Sequence, residues 1–390
     1  MNNLCADVGY LSISKHGEQL CGDHVEIVEQ DENSMVMVLA DGLGSGVKAN
    51  ILSTLTAKII STMLANHMSL EECVTTVAST LPVCEKRGIA YSTFTIIHVV
   101  DNKTAEVIQY DNPHVILLHN GINCDYDKIS MTIGDKQIVK SKINLSPGDV
   151  LVAMSDGAVY AGVGKHLNFG WQRDNIIDFL ELIYENSHSA KMISSLLLDQ
   201  CNQLYGGVPG DDTTISSIKI RNRQPMNLMI GPPADPNDLN KMLTLFFAKE
   251  GKHIVCGGTT STLAAQYLGK EILADLNYVD PEIPPASKIE GIDLVTEGVI
   301  TINRVLYYAQ NYLDDNSCCT DWSLRKDAAS CIAKLLFEEA TDINFYVGRA
   351  INPAHQNPNL PISFSIKMRL IDELSDCLRK MGKKVNVSYF

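Results

Sequence analysis

The first 220 residues alternate short apolar runs with stretches of helical spacing. Residues 34–40 form a compact apolar run that stops at Asp41-Gly42, the pattern of a buried strand ending in a tight turn. Between residues 47 and 65 apolar side chains recur every four positions, which predicts a helix. Similar patterns predict strands at 91–100, 105–110, 114–119, 150–154 and 213–220, and helices at 69–81, 175–185 and 189–205. Helices mixed with sequence-adjacent strands favour helices packed on antiparallel sheets.

A polar, proline-ended break at residues 221–225 separates this region from a second pattern. Strands and helices then alternate strictly. Strands are predicted at 226–230, 253–256, 343–347 and 384–388, and helices at 236–249, 262–268, 298–313, 327–340 and 365–381. The pattern predicts two domains, residues 1–222 and 225–390, the second an α/β domain with a mostly parallel sheet.

Composition narrows the class of protein. The 390 residues are 45% hydrophobic and 20% charged, which suits a globular protein with sizeable cores. The formal charge of −14 argues against a nucleic-acid partner, because such binding depends on Lys and Arg. The chain has no leader pattern, no apolar run long enough for a membrane helix, and eleven cysteines without a C-x-x-C motif. We therefore expect a reduced, cytoplasmic protein without a membrane partner; a homodimer stays open.

Four aspartates stand where a predicted strand meets a turn: Asp23, Asp41, Asp156 and Asp211. Each alone is also explained by turn chemistry, since Asp is favoured in turns. If the strand ends converge, the carboxylates repel one another unless a cation lies among them. Oxygen ligands without nearby Cys or His select magnesium or manganese over zinc. Two such ions can polarise a phosphoryl group and supply a hydroxide nucleophile at neutral pH.

The sequence around these aspartates resembles that of a known family. Residues 40–49, ADGLGSGVKA, resemble the ADGMGSG-x-KA segment of SpoIIE-like phosphatases, the stage II sporulation protein E branch of the metal-dependent protein phosphatase (PPM, PP2C-like) superfamily. Gly22-Asp23, Ser155-Asp156-Gly157 and Asp211-Asp212-x-Thr214 resemble the other elements of that family. The four elements occur in the family's order over residues 1–220.

The resemblance implies an N-terminal αββα sandwich and a phosphoserine/phosphothreonine protein phosphatase of bacterial signalling. Its cofactors would be two divalent ions, Mn2+ or Mg2+. The implied metal ligands are Asp23, Asp41, the Gly42 carbonyl, Asp156 and Asp211, with Asp212 as a weaker ligand or an acceptor that orients the others. Asp41 and Asp156 would serve catalysis through metal-bound water. The implied substrate is a phosphorylated protein, such as an anti-sigma-factor antagonist.

One departure from the wider superfamily concerns the general acid. Many eukaryotic relatives have a histidine where this chain has Leu43. His24 and His114 lie near the motifs, but each also fits a structural role. Two other functions stay open at this point. One is a catalytically silent phosphatase-fold sensor or scaffold, and the other is a metal-dependent hydrolase of small phosphate esters.

The second domain contains no metal or catalytic motif that the sequence reveals. Its main feature is a loop of small and hydroxyl residues between a strand and a helix: Gly257, Gly258, Thr259, Thr260 and Ser261. Backbone amides and hydroxyls at a helix start can hold an anion, and the same residues also suit a plain helix cap. We expect a ligand-binding loop for a small anionic effector that regulates the phosphatase.

Overall fold

The computed structural model describes residues 3–80, 92–133, 136–274, 280–314, 322, 325–350 and 363–390. The chain divides into two compact units. The first consists mainly of Met1–Asn222, and the second of Arg223–Asp315 and Cys319–Phe390. That each unit is a domain in its own right, with the boundaries 1–222 and 225–390, stays a prediction.

The described part of the first unit contains more residues in strands than in helices. These are β1 (Leu4–Ile13), β2 (Asp23–Glu29), β3 (Met35–Gly42), β4 (Ser92–Val100), β5 (Thr104–Tyr110), β6 (Ile116–His119), β7 (Ile122–Cys124), β8 (Ile129–Ile133), β9 (Lys136–Asn144), β10 (Asp149–Met154) and β11 (Thr213–Asn222). The helices are α1 (Gly46–Ala65), α2 (Leu70–Thr80), α3 (Asp156–Val159), α4 (Arg173–Ile183) and α5 (Ala190–Leu204).

The strands of the first unit form two antiparallel sheets. One has the order β1-β11-β10-β6-β7 and the other β2-β3-β4-β5-β9-β8. Apolar side chains such as Leu39, Ile97 and Leu151 fill the core between the sheets. Helices α4 and α5 cover the outer face of the first sheet, and α1 and α2 cover that of the second. These four layers confirm the predicted αββα sandwich.

Local signals explain some elements and fail for others. Before α2, the Glu72 carboxylate accepts a hydrogen bond from the Ser69 backbone amide at 2.9 Å, and the Ser69 hydroxyl accepts one from the Glu72 amide at 3.3 Å. The pattern of apolar residues in the sequence did not predict strands β1, β2 and β7–β9. Strand β1 mixes small and polar residues because it is an edge strand that pairs with β11 alone.

The second unit contains strands β12 (Pro225–Ile230), β13 (Lys252–Cys256), β14 (Leu273–Ala274), β15 (Ser287–Ile289), β16 (Ile292–Thr296), β17 (Asp342–Val347) and β18 (Lys384–Tyr389). Its helices are α6 (Leu239–Phe247), α7 (Gly258–Leu268), α8 (Val299–Asp314), α9 (Ala328–Ala333) and α10 (Ser363–Lys380). The helix predicted at 327–340 has two parts in the structure. The α-helix α9 ends at Ala333, and Lys334–Glu339 continue it as a π-helix. A mid-helix change of this kind does not alter apolar spacing enough to be seen in sequence.

One sheet organises the second unit, with the order β14-β15-β16-β13-β12-β17-β18. Strands β16, β13, β12, β17 and β18 run parallel, which confirms the predicted mostly parallel sheet. Helices α6 and α7 pack on one face, and α8, α9 and α10 pack on the other. Among the described helices of the whole chain, none has the length and apolar character needed to cross a bilayer.

Candidate active site

Strand pairing brings the first two aspartates together. Asp23 at the start of β2 is the direct partner of Asp41 near the end of β3. Opposite residues of an antiparallel pair project from the same face. Both aspartates continue the rows of side chains that fill the core between the sheets, through Val25 on β2 and Leu39 on β3. The two carboxylates therefore lie at one end of the layer between the sheets.

A second strand pair supplies the remaining aspartates. The Ser155 amide, just after β10, donates to the Thr214 carbonyl at 3.0 Å, and the Thr214 amide donates to the Ser155 hydroxyl at 2.9 Å. Asp156 follows Ser155 directly, and Asp211-Asp212 precede β11. These two bonds therefore hold all three acids at the same end of the β10–β11 pair.

The two sheets bring both sets of acids to the same place. A Cβ atom on Gly22 would lie 2.6 Å from Oδ2 of Asp212, so the turn before Asp23 touches the acid from the other sheet. A Cβ on Gly157 would overlap the Asp212 carbonyl. Glycine at both positions allows this close approach. The fold thus gathers Asp23, Asp41, Asp156, Asp211 and Asp212 from distant parts of the sequence.

Burial and mutual repulsion disfavour the charged forms of these carboxyls. Burial, followed by the charge of Asp212, raises the pKa of Asp23, although the hydroxyls of Ser155 and Thr214 oppose this. Burial and the charge of Asp23 raise the pKa of Asp41. Burial also raises the pKa of Asp156 and of Asp211, in each case with a neighbouring carboxylate adding to the effect. Without a cation, these carboxyls therefore keep their protons to higher pH than isolated aspartates do, and a bound cation would favour their charged forms.

Several buried oxygens of this cluster lack partners. Among the described residues, neither carboxylate oxygen of Asp23 makes a hydrogen bond of normal geometry, nor does Oδ2 of Asp212. Such buried acceptors are costly unless a cation or donor satisfies them. All of them are hard oxygen ligands, the type that magnesium and manganese prefer. In the described part of the chain, no group of three or more His, Cys, Asp or Glu side chains is arranged so that it could hold a metal ion. The fit to divalent cations therefore rests on the chemistry of these oxygens.

Gly42 and the start of α1 border this cluster. A side chain on residue 42 would collide with α1, because a Cβ atom there would overlap the carbonyl of Ala49. Glycine at this position therefore allows β3 to end this close to α1. A free helix N-terminus favours an anion such as a phosphate group. The structure places the Glu18 carboxylate there, where it accepts a hydrogen bond from the Ser45 hydroxyl at 3.2 Å. A carboxylate at a helix N-terminus is stabilised by the dipole and competes with other anions.

The two histidines considered as general acids are engaged elsewhere. His24 follows Asp23 on β2, and successive strand residues point to opposite faces. Its Nε2 lies 3.1 Å from the Glu26 carboxylate. Nδ1 of His114 lies 3.4 Å from the Gln109 side-chain oxygen. Their roles at the site stay predictions that these contacts do not favour.

Three residues near the cluster were missed by the sequence patterns. Asp111, which follows β5, is close enough to contribute to the raised pKa of Asp156. It is one more acid just after a strand, so the pattern that found the other four could have found it. The backbone amide of Lys15 donates to Oδ1 of Asp212 at 3.0 Å. The buried Tyr205 hydroxyl donates to the Gly157 carbonyl at 2.7 Å, a contact between remote segments with no local signal.

In the second unit, the predicted anion loop forms the start of α7. The Thr260 hydroxyl accepts a hydrogen bond from the Gly231 amide at 3.0 Å, and the Ser261 hydroxyl donates to the Gly257 carbonyl at 2.9 Å. These hydroxyls are therefore already used, which leaves the amides of Gly258 and Thr259 at the exposed first turn. The role of the loop as a ligand site stays a prediction.

Comparison with known proteins gives one family match. The family model described as Stage II sporulation protein E (SpoIIE) matches residues 31–221. This segment includes Asp41, Asp156 and Asp211 but not Asp23. None of the curated proteins compared with the chain matches it.

Similar folds occur among solved structures. The PP2C phosphatase domain of SpoIIE from Bacillus subtilis, solved with a fragment of its regulatory domain, is 18% identical, with a TM-score of 0.47; the match covers 57% of this chain and 66% of that one. A second structure of the same phosphatase domain is 19% identical, with a TM-score of 0.44 and coverages of 58% and 96%. The PP2C domain of SiaA from Pseudomonas aeruginosa is 15% identical, with a TM-score of 0.43 and coverages of 54% and 85%.

Proposed function

Because residues 31–221 of this chain belong to the stage II sporulation protein E family, we propose that its first unit is a metal-dependent phosphoprotein phosphatase acting on phosphoserine or phosphothreonine. The observation that supports this most directly is the meeting of Asp23 and Asp41 with Asp156 and Asp211 at one end of the sandwich. The unpartnered oxygens of Asp23 and Asp212 support a role for divalent cations there.

Each acid has a distinct place in the proposal. Asp23, Asp41 and the Gly42 carbonyl would hold one side of a two-ion site, and Asp156 and Asp211 the other, with Asp212 as a weaker ligand. Manganese or magnesium bound there would polarise the phosphoryl group and supply a nucleophile at neutral pH. The protein's own residues fix the geometry, because the β2–β3 and β10–β11 ladders and the close approaches at Gly22 and Gly157 allow the acids little freedom.

The same cluster bears on substrate choice. Five aspartates repel a phosphate dianion when no cation is bound, so phosphate binding would depend on the metal. Bound cations would neutralise the negative charge of the cluster and so allow a phosphate group to approach. We propose a phosphorylated protein of bacterial signalling as the substrate, an anti-sigma-factor antagonist being one example that the family resemblance suggests.

The test is phosphate release from a phosphoserine peptide by the full chain, with MnCl2, with MgCl2 and with EDTA. We expect release only with a divalent ion. Asp41→Asn should lower the rate by about 10²-fold or more, because the loss of one metal-binding carboxylate removes several kcal/mol of transition-state stabilisation. Asp178→Asn, an exposed aspartate of α4, is the matched control and should retain full activity.

The alternatives give different results in the same assay. A silent sensor or scaffold would release no phosphate from any substrate with either ion. A hydrolase of small phosphate esters would prefer sugar phosphates or nucleotides to phosphopeptides. Turnover that survives both EDTA and Asp41→Asn would contradict the proposed metal-dependent mechanism altogether.

A further inference from the structure

A cavity lies on the outer face of the second sheet of the first unit. Its volume is about 300 Å³, and its lining includes Leu64, Met68, His98, Glu106, Ile108 and Lys140. Helix α1 starts next to the aspartate cluster, and Leu64 lies near the other end of that helix, about 27 Å along it. Ligand cavities in proteins measure roughly 300–1,000 Å³. This cavity is therefore separate from the candidate active site and suits a molecule of amino-acid size.

Strand pairing builds the charged part of the cavity. His98 on β4 and Glu106 on β5 are direct partners in the antiparallel ladder, and the side chains of such partners project from the same face. Nζ of Lys140 on β9 lies 3.4 Å from the Glu106 carboxylate, and about a third of each of these two side chains is exposed. A carboxylate and an ammonium group each have several hydrogen-bonding positions, so this ion pair can also bind the groups of a ligand.

The surrounding hydrogen bonds assign the tautomer of His98. The Gln30 side-chain nitrogen donates to the Leu64 carbonyl at 3.0 Å, and Nε2 of His98 lies 2.8 Å from the Gln30 side-chain oxygen. Nε2 therefore carries the proton and donates it to that oxygen. Burial lowers the pKa of His98 against the opposing charge of Glu106, so the ring is neutral at neutral pH. Nδ1 of His98 is then a hydrogen-bond acceptor.

The apolar part of the cavity comes from the helix side and from β5. Leu64 and Ile108 are almost fully buried members of the core between the sheet and its helices. Met68, in the turn between α1 and α2, is 40% exposed. Methionine is flexible and adapts to the shape of what it contacts. These three side chains therefore offer an apolar surface to an alkyl group.

The combination of charges narrows the class of ligand. His67 also lines the cavity, but no set of His, Cys, Asp and Glu side chains that could hold a metal ion occurs in the described ranges of the chain. A simple anion would be repelled by the Glu106 carboxylate, and a simple cation by the Lys140 ammonium. A molecule with an ammonium and a carboxylate on neighbouring atoms avoids both repulsions.

We propose that this cavity binds a free α-amino acid with an apolar side chain. The ammonium group of the ligand binds the Glu106 carboxylate and Nδ1 of His98, and its carboxylate binds the Lys140 ammonium. Its side chain contacts Leu64, Met68 and Ile108. The proposal does not depend on the phosphatase activity of the first unit.

The experiment is isothermal titration of the full chain with L-leucine, L-methionine and L-valine at neutral pH in EDTA, which removes divalent ions from the aspartate cluster. We expect one amino acid per chain. Two analogues of leucine separate the contacts: 4-methylpentanoate lacks only the ammonium group, and 3-methylbutylamine lacks only the carboxylate. Each should bind about tenfold more weakly or worse, because a hydrogen-bonded charge pair is lost.

Two variants test the charged residues. Glu106→Gln and Lys140→Met should each weaken leucine binding by about tenfold or more. Glu29→Gln and Lys103→Met, which change exposed residues of the same unit, are the matched controls and should leave binding unchanged.

Hydrogen-exchange mass spectrometry of the unmodified chain avoids any effect of the variants on folding. Leucine should slow exchange in residues 64–69, the segment that contains Leu64 and Met68. The proposal is overturned if none of the three amino acids binds, or if leucine binds without protecting this segment. Equal affinities for leucine and both analogues, or leucine binding that survives both variants unchanged, would also overturn it.

Discussion

Asp23 on β2 and Asp41 on β3 are direct partners in an antiparallel ladder, with both side chains directed into the end of the layer between the sheets. Register alone therefore puts two carboxylates side by side, before any contact with the second sheet. A slip of one residue would turn one of them to the outer face. The ladder continues through Val25 and Leu39, so the apolar core holds the register that the acids require.

The free-energy cost of placing the Asp23 and Asp41 carboxylates side by side can be measured by removing one of the two charges. Asp23→Asn replaces a buried carboxylate by a neutral side chain of the same shape. We expect the metal-free protein at pH 8 to gain about 1–2 kcal/mol in free energy of unfolding, since a repulsive charge is removed. Manganese should then no longer raise the melting temperature of the variant. Calorimetry with and without MnCl2 checks both effects.

Asp178→Asn serves as the control for this measurement, because it removes an exposed aspartate of the same unit. It should leave both the metal-free stability and the manganese-dependent shift as they are. An Asp23→Asn protein that is stabilised by manganese as strongly as the unmodified chain would show that Asp23 is not a metal ligand.

Gly42 offers a test of the contact between β3 and α1. In Gly42→Ala the new methyl group would overlap the Ala49 carbonyl, so we expect a loss of about 1–3 kcal/mol in stability together with loss of activity. Gly44→Ala is the comparison, because no atom lies within 4 Å of its Cβ position and only its positive φ of 103° is strained. That variant should lose about 1 kcal/mol. Equal losses in urea unfolding would contradict a steric role for Gly42.

Tyr205 tests how the Asp156 turn is held. Tyr205→Phe removes the hydroxyl that donates to the Gly157 carbonyl. We expect a stability loss of about 1 kcal/mol and a rise of about tenfold in the manganese concentration needed for half-maximal activity, because the turn that carries Asp156 is less well positioned. Tyr346→Phe in the second unit loses a similar bond, to the Leu245 carbonyl at 3.3 Å. It should lose stability without any change in manganese dependence, and a shift in both variants would rule out a positioning role.

Much of this architecture could be predicted from local pattern. Runs of apolar residues marked the buried strands β3 and β10, and strict strand–helix alternation marked the parallel sheet of the second unit. Acids beside glycines at strand ends marked Asp41 and Asp156 as candidates. These features are visible because burial and turn formation act on neighbouring residues. Edge strand β1 was missed because its half-exposed face weakens the alternation of apolar and polar positions.

The sequence by itself determined which side chains end the strands, where the glycines fall and how the helices and strands alternate. Only the tertiary structure decided that Asp23 faces Asp41 and that Gly22 meets Asp212. It also showed that the hydroxyls of Thr260 and Ser261 are already used, and that Glu106 lies beside His98. The physical reason is the separation in sequence over which each interaction acts. Helix and strand propensity and burial produce a periodic pattern among neighbouring residues. Strand pairing and packing join residues that are far apart in the chain, and they leave no pattern in the sequence around either residue.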